Sequence, residues 1–186
     1  MIVRWLPTFL GFPVGGWLAA QAVGSVRGPG SAALAGLIAG LAIGVAQWLV
    51  LRSRGADLRW VVYTALGMTV GGAAAAVLTG ANTDVKSLVL TGLVAGAAVG
   101  AAQATLLAPS LRAGIAWGAL VSIAWGLGWL TTANVIVDAE SGFIIFGSSG
   151  ALVVTVLTGL GMRWLLAVEA PAKVVPATPP VAEAHR

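Results

Sequence analysis

The chain has 186 residues, of which 59% are hydrophobic and only 9% charged, and its mean hydropathy is +0.97. Soluble domains carry charge on about a quarter of their residues, so this composition excludes an ordinary water-soluble fold and places the chain in a bilayer. Cysteine is absent and the single histidine is His185, which excludes a disulfide framework and leaves neither metal nor cofactor ligation to expect from the side chains. The net charge of +4 would suit nucleic acid, but the basic residues sit between apolar runs, and topology explains them better.

A helix needs about 20 apolar residues to cross about 30 Å of hydrocarbon. Six stretches qualify: Trp5 to Gly24, Ala32 to Leu51, Trp60 to Thr79, Leu88 to Ala108, Ile115 to Val135 and Phe143 to Leu166. Short connectors with turn chemistry separate them, among them Arg27-Gly28-Pro29-Gly30 and Arg54-Gly55-Ala56-Asp57, so successive helices must run antiparallel.

The first stretch has a signal-like pattern, with Arg4 before the apolar run and Ala20-Gln21-Ala22 after it. Its glycines Gly11, Gly15 and Gly16 recur 56 residues on as Gly67, Gly71 and Gly72, which favours retention as a structural helix. Ser122 and Gly126 take the corresponding places in the third hairpin.

The second, fourth and sixth helices carry a ladder of small residues that ends in a polar side chain. The copies read Gly36, Gly40, Gly44 and Gln47; then Gly92, Gly96, Gly100 and Gln103; then Gly147, Ala151, Thr155 and Thr158. At 100° per residue each set occupies one narrow helix face. In lipid such faces let backbones approach closely, so the ladders predict helix packing. Gln47, Gln103 and Thr158 lie at similar depth and form a candidate polar cluster, read either as a constriction or binding contact, or as hydrogen-bonding glue between helices.

Eight basic residues (Arg4, Arg52, Arg54, Arg59, Arg112, Arg163, Lys173 and Arg186) fall on one side of this topology and two, Arg27 and Lys86, on the other. The positive-inside rule then makes both termini cytoplasmic, in a bacterial cytoplasmic membrane. Trp5, Trp48, Trp60, Trp117 and Trp164 cluster at the cytoplasmic ends, where an interfacial aromatic belt is expected. Trp125 and Trp129 lie deeper, with Trp17 in the outer half of the first helix, placed for packing, lipid contact or flanking a pigment, quinone or lipid tail. Residues 169 to 186 contain Pro171, Pro176, Pro179 and Pro180 and are expected to be a disordered cytoplasmic tail.

The run Gly36 to Arg52, GLIAGLAIGVAQWLVLR, followed by a basic loop and Trp60, resembles an uncharacterised family of small bacterial six-helix membrane proteins with repeated Gly-x-x-x-Gly-x-x-Gln-Trp stretches. The segment Thr158 to Leu166 is similar to the end of their final helix. The resemblance spans nearly all of residues 1 to 168 and supplies no activity, and Gln103-Ala104 departs from its Gln-Trp pattern.

The expected fold is an all-α integral membrane protein over residues 1–168, with six transmembrane helices in three parallel-oriented hairpins (about 5–52, 60–108 and 115–166) around a pseudo-threefold axis. No Asp, Glu, Lys or His lies in a predicted membrane core, which disfavours a proton relay, acid-base catalysis and a proton-carrying rotor hairpin. The leading expectation is a non-enzymatic module that packs in the bilayer with itself or with a membrane-complex partner. The alternative is a small-molecule carrier or a substrate-binding transporter subunit.

Overall fold

The computed structural model describes residues 2–108, 110–135 and 147–168, and these are helical nearly throughout. The helices are α1 (Ile2–Trp5), α2 (Gly11–Val23), α3 (Pro29–Leu51), α4 (Arg59–Thr79), α5 (Val85–Leu107), α6 (Leu111–Val135) and α7 (Ser148–Val168), with a 3-10 segment, Leu6–Leu10, joining α1 to α2. Five of them, α3 to α7, are long and apolar enough to cross a membrane. The described residues contain no strand. These features define an all-α, multi-pass membrane protein.

The first predicted span differs most from expectation. Instead of one helix from Trp5 to Gly24, the chain forms a four-residue turn of α-helix, the 3-10 segment and then 13 residues of α2. Pro7 stands at the start of the 3-10 segment, where its missing N–H and fixed φ suit a helix start and interrupt the preceding α-helix. The expected start of the last span at Phe143 and the expected disordered tail fall outside the described residues.

Local chemistry sets the helix boundaries. Pro29 opens α3, and the Ser31 hydroxyl accepts hydrogen bonds from the Arg27 and Gly28 backbone N–H groups at 3.0 and 3.2 Å. Asp84 caps α5, accepting from the backbone N–H groups of Lys86 and Ser87 at 3.1 and 3.2 Å. Gly80, which follows α4, has φ +64°, a left-handed conformation that glycine adopts without strain.

The helices pack in chain order, α2 on α3 and onward to α7, and α7 closes the arrangement by packing on α1, the 3-10 segment and α2. Small residues face the seams and large apolar ones face outward. On α3, Gly36, Gly40 and Gly44 are buried while Leu34, Leu37, Leu41, Val45 and Leu49 are exposed. In water that outward face would drive aggregation. In a bilayer it contacts acyl chains at no cost.

The glycines set the inter-helix distance. A Cβ on Gly40 would stand 2.7 Å from the Ala65 Cα, and one on Gly44 would stand 2.9 Å from the Val61 Cα, while Gly36 meets the Met68 carbonyl. Further along, Gly92 meets the Trp125 carbonyl at 2.6 Å, Gly96 the Ser122 Cα at 2.9 Å and Gly100 the Gly118 Cα at 2.8 Å. The ladders of α3 and α5 therefore face the next helix in the chain. Gly11 and Gly15 of α2 meet Ile43 and Ala39 of α3 in the same manner, as Gly67 and Gly71 of α4 meet Val99 and Ala95 of α5.

One alignment needs correction. Ser122 and Gly126 do not play the part of Gly67 and Gly71: both face backward onto α5, where the Ser122 hydroxyl donates to the Leu93 carbonyl at 2.8 Å and Gly126 abuts the Leu93 side chain. The α6 glycine that meets the following helix is Gly128, whose carbonyl abuts Gly150 of α7. The physical reason is spacing. Trp60 and Trp117 are 57 residues apart, whereas Gly92 and Gly147 are 55 apart, so counting 55 from α4 lands two residues short on α6.

Candidate functional site

Two of the three members of the polar cluster meet directly. The Gln103 Nε2 donates to the Gln47 Oε1 at 3.1 Å and to the Thr64 Oγ1 at 3.0 Å. Thr64 in turn donates to the Trp60 carbonyl one turn back, at 2.8 Å. All three of Gln47, Gln103 and Thr64 are buried. Thr158 is buried as well, but its hydroxyl donates to the Val154 carbonyl at 2.7 Å and bonds to neither glutamine. The ladder places each Gln by register: it comes three residues after the last Gly, on the face that packs against the following helix.

The residues that complete this cluster are tryptophans. The Trp60 indole N–H donates to the Gln47 Oε1 at 3.1 Å, the Trp117 N–H to the Gln103 Oε1 at 3.3 Å and the Trp5 N–H to the Thr158 Oγ1 at 3.2 Å. Trp5, Trp60 and Trp117 are at most 3% exposed, so they are not members of an interfacial belt. This corrects the expectation from sequence. Of the five tryptophans expected in that belt, only Trp164 is largely exposed, at 52%, while Trp48 donates to the Ala56 carbonyl at 3.2 Å and lies under the Arg52 guanidinium. Spacing held the missed signal: Trp5, Trp60 and Trp117 are 55 and 57 residues apart, in step with Thr158, Gln47 and Gln103.

Each clasp joins the last polar rung of one helix to a tryptophan within the first turns of another part of the chain. Gln47 on α3 holds Trp60 on α4, and Gln103 on α5 holds Trp117 on α6. Thr158 on α7 holds Trp5, at the very start of the described chain. An indole N–H left unpaired in such a core would carry a desolvation cost, and each clasp removes it.

The third copy of the ladder keeps burial with one glycine instead of three. Ala151 and Thr155 are 0% and 1% exposed, and Gly147 is buried. Among the described residues the Thr155 hydroxyl has no hydrogen-bond partner, nor has that of Thr132. Close approach on α7 occurs elsewhere, at Gly150 on Gly128 and at Gly159, whose Cβ would stand 2.7 Å from the Trp5 Cδ1.

Two cavities lie on either side of the clasps. One, of about 250 Å³, is at the Arg-rich end between Arg54, Arg59, Trp60, Leu106 and Met162. The other, of about 170 Å³, is at the opposite end between α3, α4, α5 and α6. Trp125 and Trp129 line the second cavity and are buried, with Phe12 packed on Trp125 at a ring-centroid distance of 5.6 Å, whereas Trp17 is 56% exposed. At the Arg-rich end Asp57 accepts from the Arg59 Nε at 2.7 Å, and that hydrogen bond holds its carboxyl below the usual carboxylate range. Ser87 does the same for Asp84 at the other end, through its hydroxyl at 2.6 Å and its backbone N–H. No group of three His, Cys, Asp or Glu residues converges among the described residues.

What this geometry defines is a polytopic helical bundle whose central polar groups bond to one another. Compared with known protein families, curated proteins and solved structures, the chain matches none.

Proposed function

We propose that this is a non-enzymatic, six-span module of a bacterial cytoplasmic membrane, built from three like-oriented hairpins around a pseudo-threefold axis, with both termini cytoplasmic. In this reading the composite of α1, the 3-10 segment and α2 is the sixth span. The module packs with a second copy or with a partner complex through its leucine- and valine-rich outer face. It needs no cofactor, and it does not bind nucleic acid.

The observation that carries the reading is the set of three clasps. The Gln47 Oε1, both amide atoms of Gln103 and the three indole N–H groups are each engaged with another protein group, and neither an amide nor an indole is an acid, base or nucleophile suited to catalysis. The carrier reading would require converging polar groups around a cavity. Here Gln47 and Gln103 line neither cavity, and of the clasp residues only Trp60 borders one, at the Arg-rich end.

Reporter fusions after Val168 and in the connectors at Gly55 and Asn82 test the topology: the first two are expected inside and the third outside. A C-terminal fusion outside would overturn it. Cross-linking in intact membranes followed by purification is expected to recover a discrete second copy or partner. A chain recovered alone, with full uptake of a labelled solute in vesicles, would favour the carrier instead.

A further inference from the structure

We infer that the cavity between α3, α4, α5 and α6 is a binding site for a neutral, single-ring apolar molecule bearing one hydroxyl or carbonyl group, entered from the end that carries Ser25 and Asn82. Four features of the cavity lead there. Its volume is about 170 Å³, close to that of engineered apolar cavities that take up benzene. Trp125, Trp129 and Met68 are among its lining residues, types whose side chains suit a flat ring. No charged residue among the described ones lines it, so an ionised ligand would meet no counter-charge from them.

The fourth feature is Thr91. Thr64, Thr69, Thr79, Thr131 and Thr158 all turn their hydroxyls back onto the carbonyl four residues earlier, at 2.7 to 2.9 Å. This is the usual way to satisfy a threonine in an apolar helix. Thr91 lines the cavity and its hydroxyl bonds to no described protein group. It is the group placed to bond a ligand's polar atom.

The route of entry distinguishes a dissolved or interfacial small molecule from a lipid chain. The seams between the lining helices are shut by backbone contact: Gly36 on Met68, Gly71 on Ala95 and Gly92 on Trp125. At the level of these contacts, acyl chains outside the bundle have no lateral path through the α3–α4, α4–α5 or α5–α6 seam. At the open end the cavity is bordered by Ser25, Asn82 and Thr83, all exposed.

The test is a titration of the purified full chain in nanodiscs with 4-fluorophenol, followed by its fluorine resonance. Saturable binding of one probe per chain is expected. Ala76→Leu, which fills the cavity wall, is expected to abolish it. Thr91→Val keeps the side-chain shape and is expected to weaken binding about fivefold, the loss of one hydrogen bond, with the elution profile and melting temperature of the bundle unchanged. Decanol, a chain of similar polarity, is expected not to compete. Non-saturable partitioning that is equal in wild type and Ala76→Leu, unchanged affinity in Thr91→Val, or displacement by decanol each overturns the proposal. None of these outcomes bears on topology or assembly.

Discussion

The seams between α3 and α4 and between α5 and α6 differ instructively from the seam that closes the bundle, where α7 meets α1 and the 3-10 segment. In the first two, glycine ladders bring helix backbones together and a glutamine clasps a tryptophan. In the closing seam a threonine replaces the glutamine, Ala151 and Thr155 replace two glycines, and the partner helix is interrupted near Pro7. Where two unbroken helices run side by side, backbone contact fixes the pair. The closing seam has a short, irregular partner, and side-chain contacts such as Gly159 on the Trp5 ring take over. A bundle built this way is rigid along the chain and weakest where its ends meet.

The largest expected effect follows from forcing the rigid seams apart. Gly40→Leu or Gly96→Leu puts a side chain where Ala65 or Ser122 backbone stands, and overpacking of this kind costs about 3 kcal/mol or more. Little monodisperse protein should survive detergent extraction. Gly159→Leu meets the Trp5 side chain and no helix backbone, and should cost less, as read by thermal melts. Equal losses at Gly40 and Gly159 would erase the distinction between the seams, and no loss at Gly40 would deny the ladders any packing role.

A smaller effect separates the clasps. Gln103→Leu removes the acceptor for Trp117 and both donations to Gln47 and Thr64, an expected loss of about 2 kcal/mol. Thr158→Val strips the Trp5 clasp and the hydroxyl's local bond to the Val154 carbonyl and should cost about 1 kcal/mol. A Thr158→Val melt as low as that of Gln103→Leu would mean that the closing clasp is the stronger one.

The smallest effect concerns the helix caps at the two ends. Arg59 and Ser87 hold the carboxyls of Asp57 and Asp84 below their ordinary range, so each cap contributes fully above that range and is lost as pH falls through the lowered folded value. Both carboxylates are fully exposed, so the consequence is local. Once exchange is corrected for its intrinsic pH dependence, the protection of the Arg59 and Lys86 amides should fall in acid while that of Gly40 and Gly96 does not.

Much of the fold was legible because the bilayer leaves a helix little choice. Its length, apolar composition and turn residues located α3, α4, α5 and α6 to within a few residues of their observed bounds. The ladder faces at Gly36, Gly40 and Gly44 followed from helical geometry alone. The first span was misread as one continuous helix, since Pro7 could equally have been accommodated within a first turn. The tryptophans were misread because an indole near a helix end suits the membrane interface as well as a buried acceptor does. Choosing between those environments needs to know what stands opposite.

By itself, then, the sequence determined which segments are helices, which of their faces are small enough to touch and where the charged ends lie, because these depend on each helix and the lipid alone. Only the tertiary structure decided that the ladders face the next helix in the chain, that Trp5 closes on Thr158 across 153 positions, and that Thr91 borders a cavity. Those outcomes depend on the register and rotation of one helix against another. Two residues of spacing were enough to hand the role of Gly126 to Gly128.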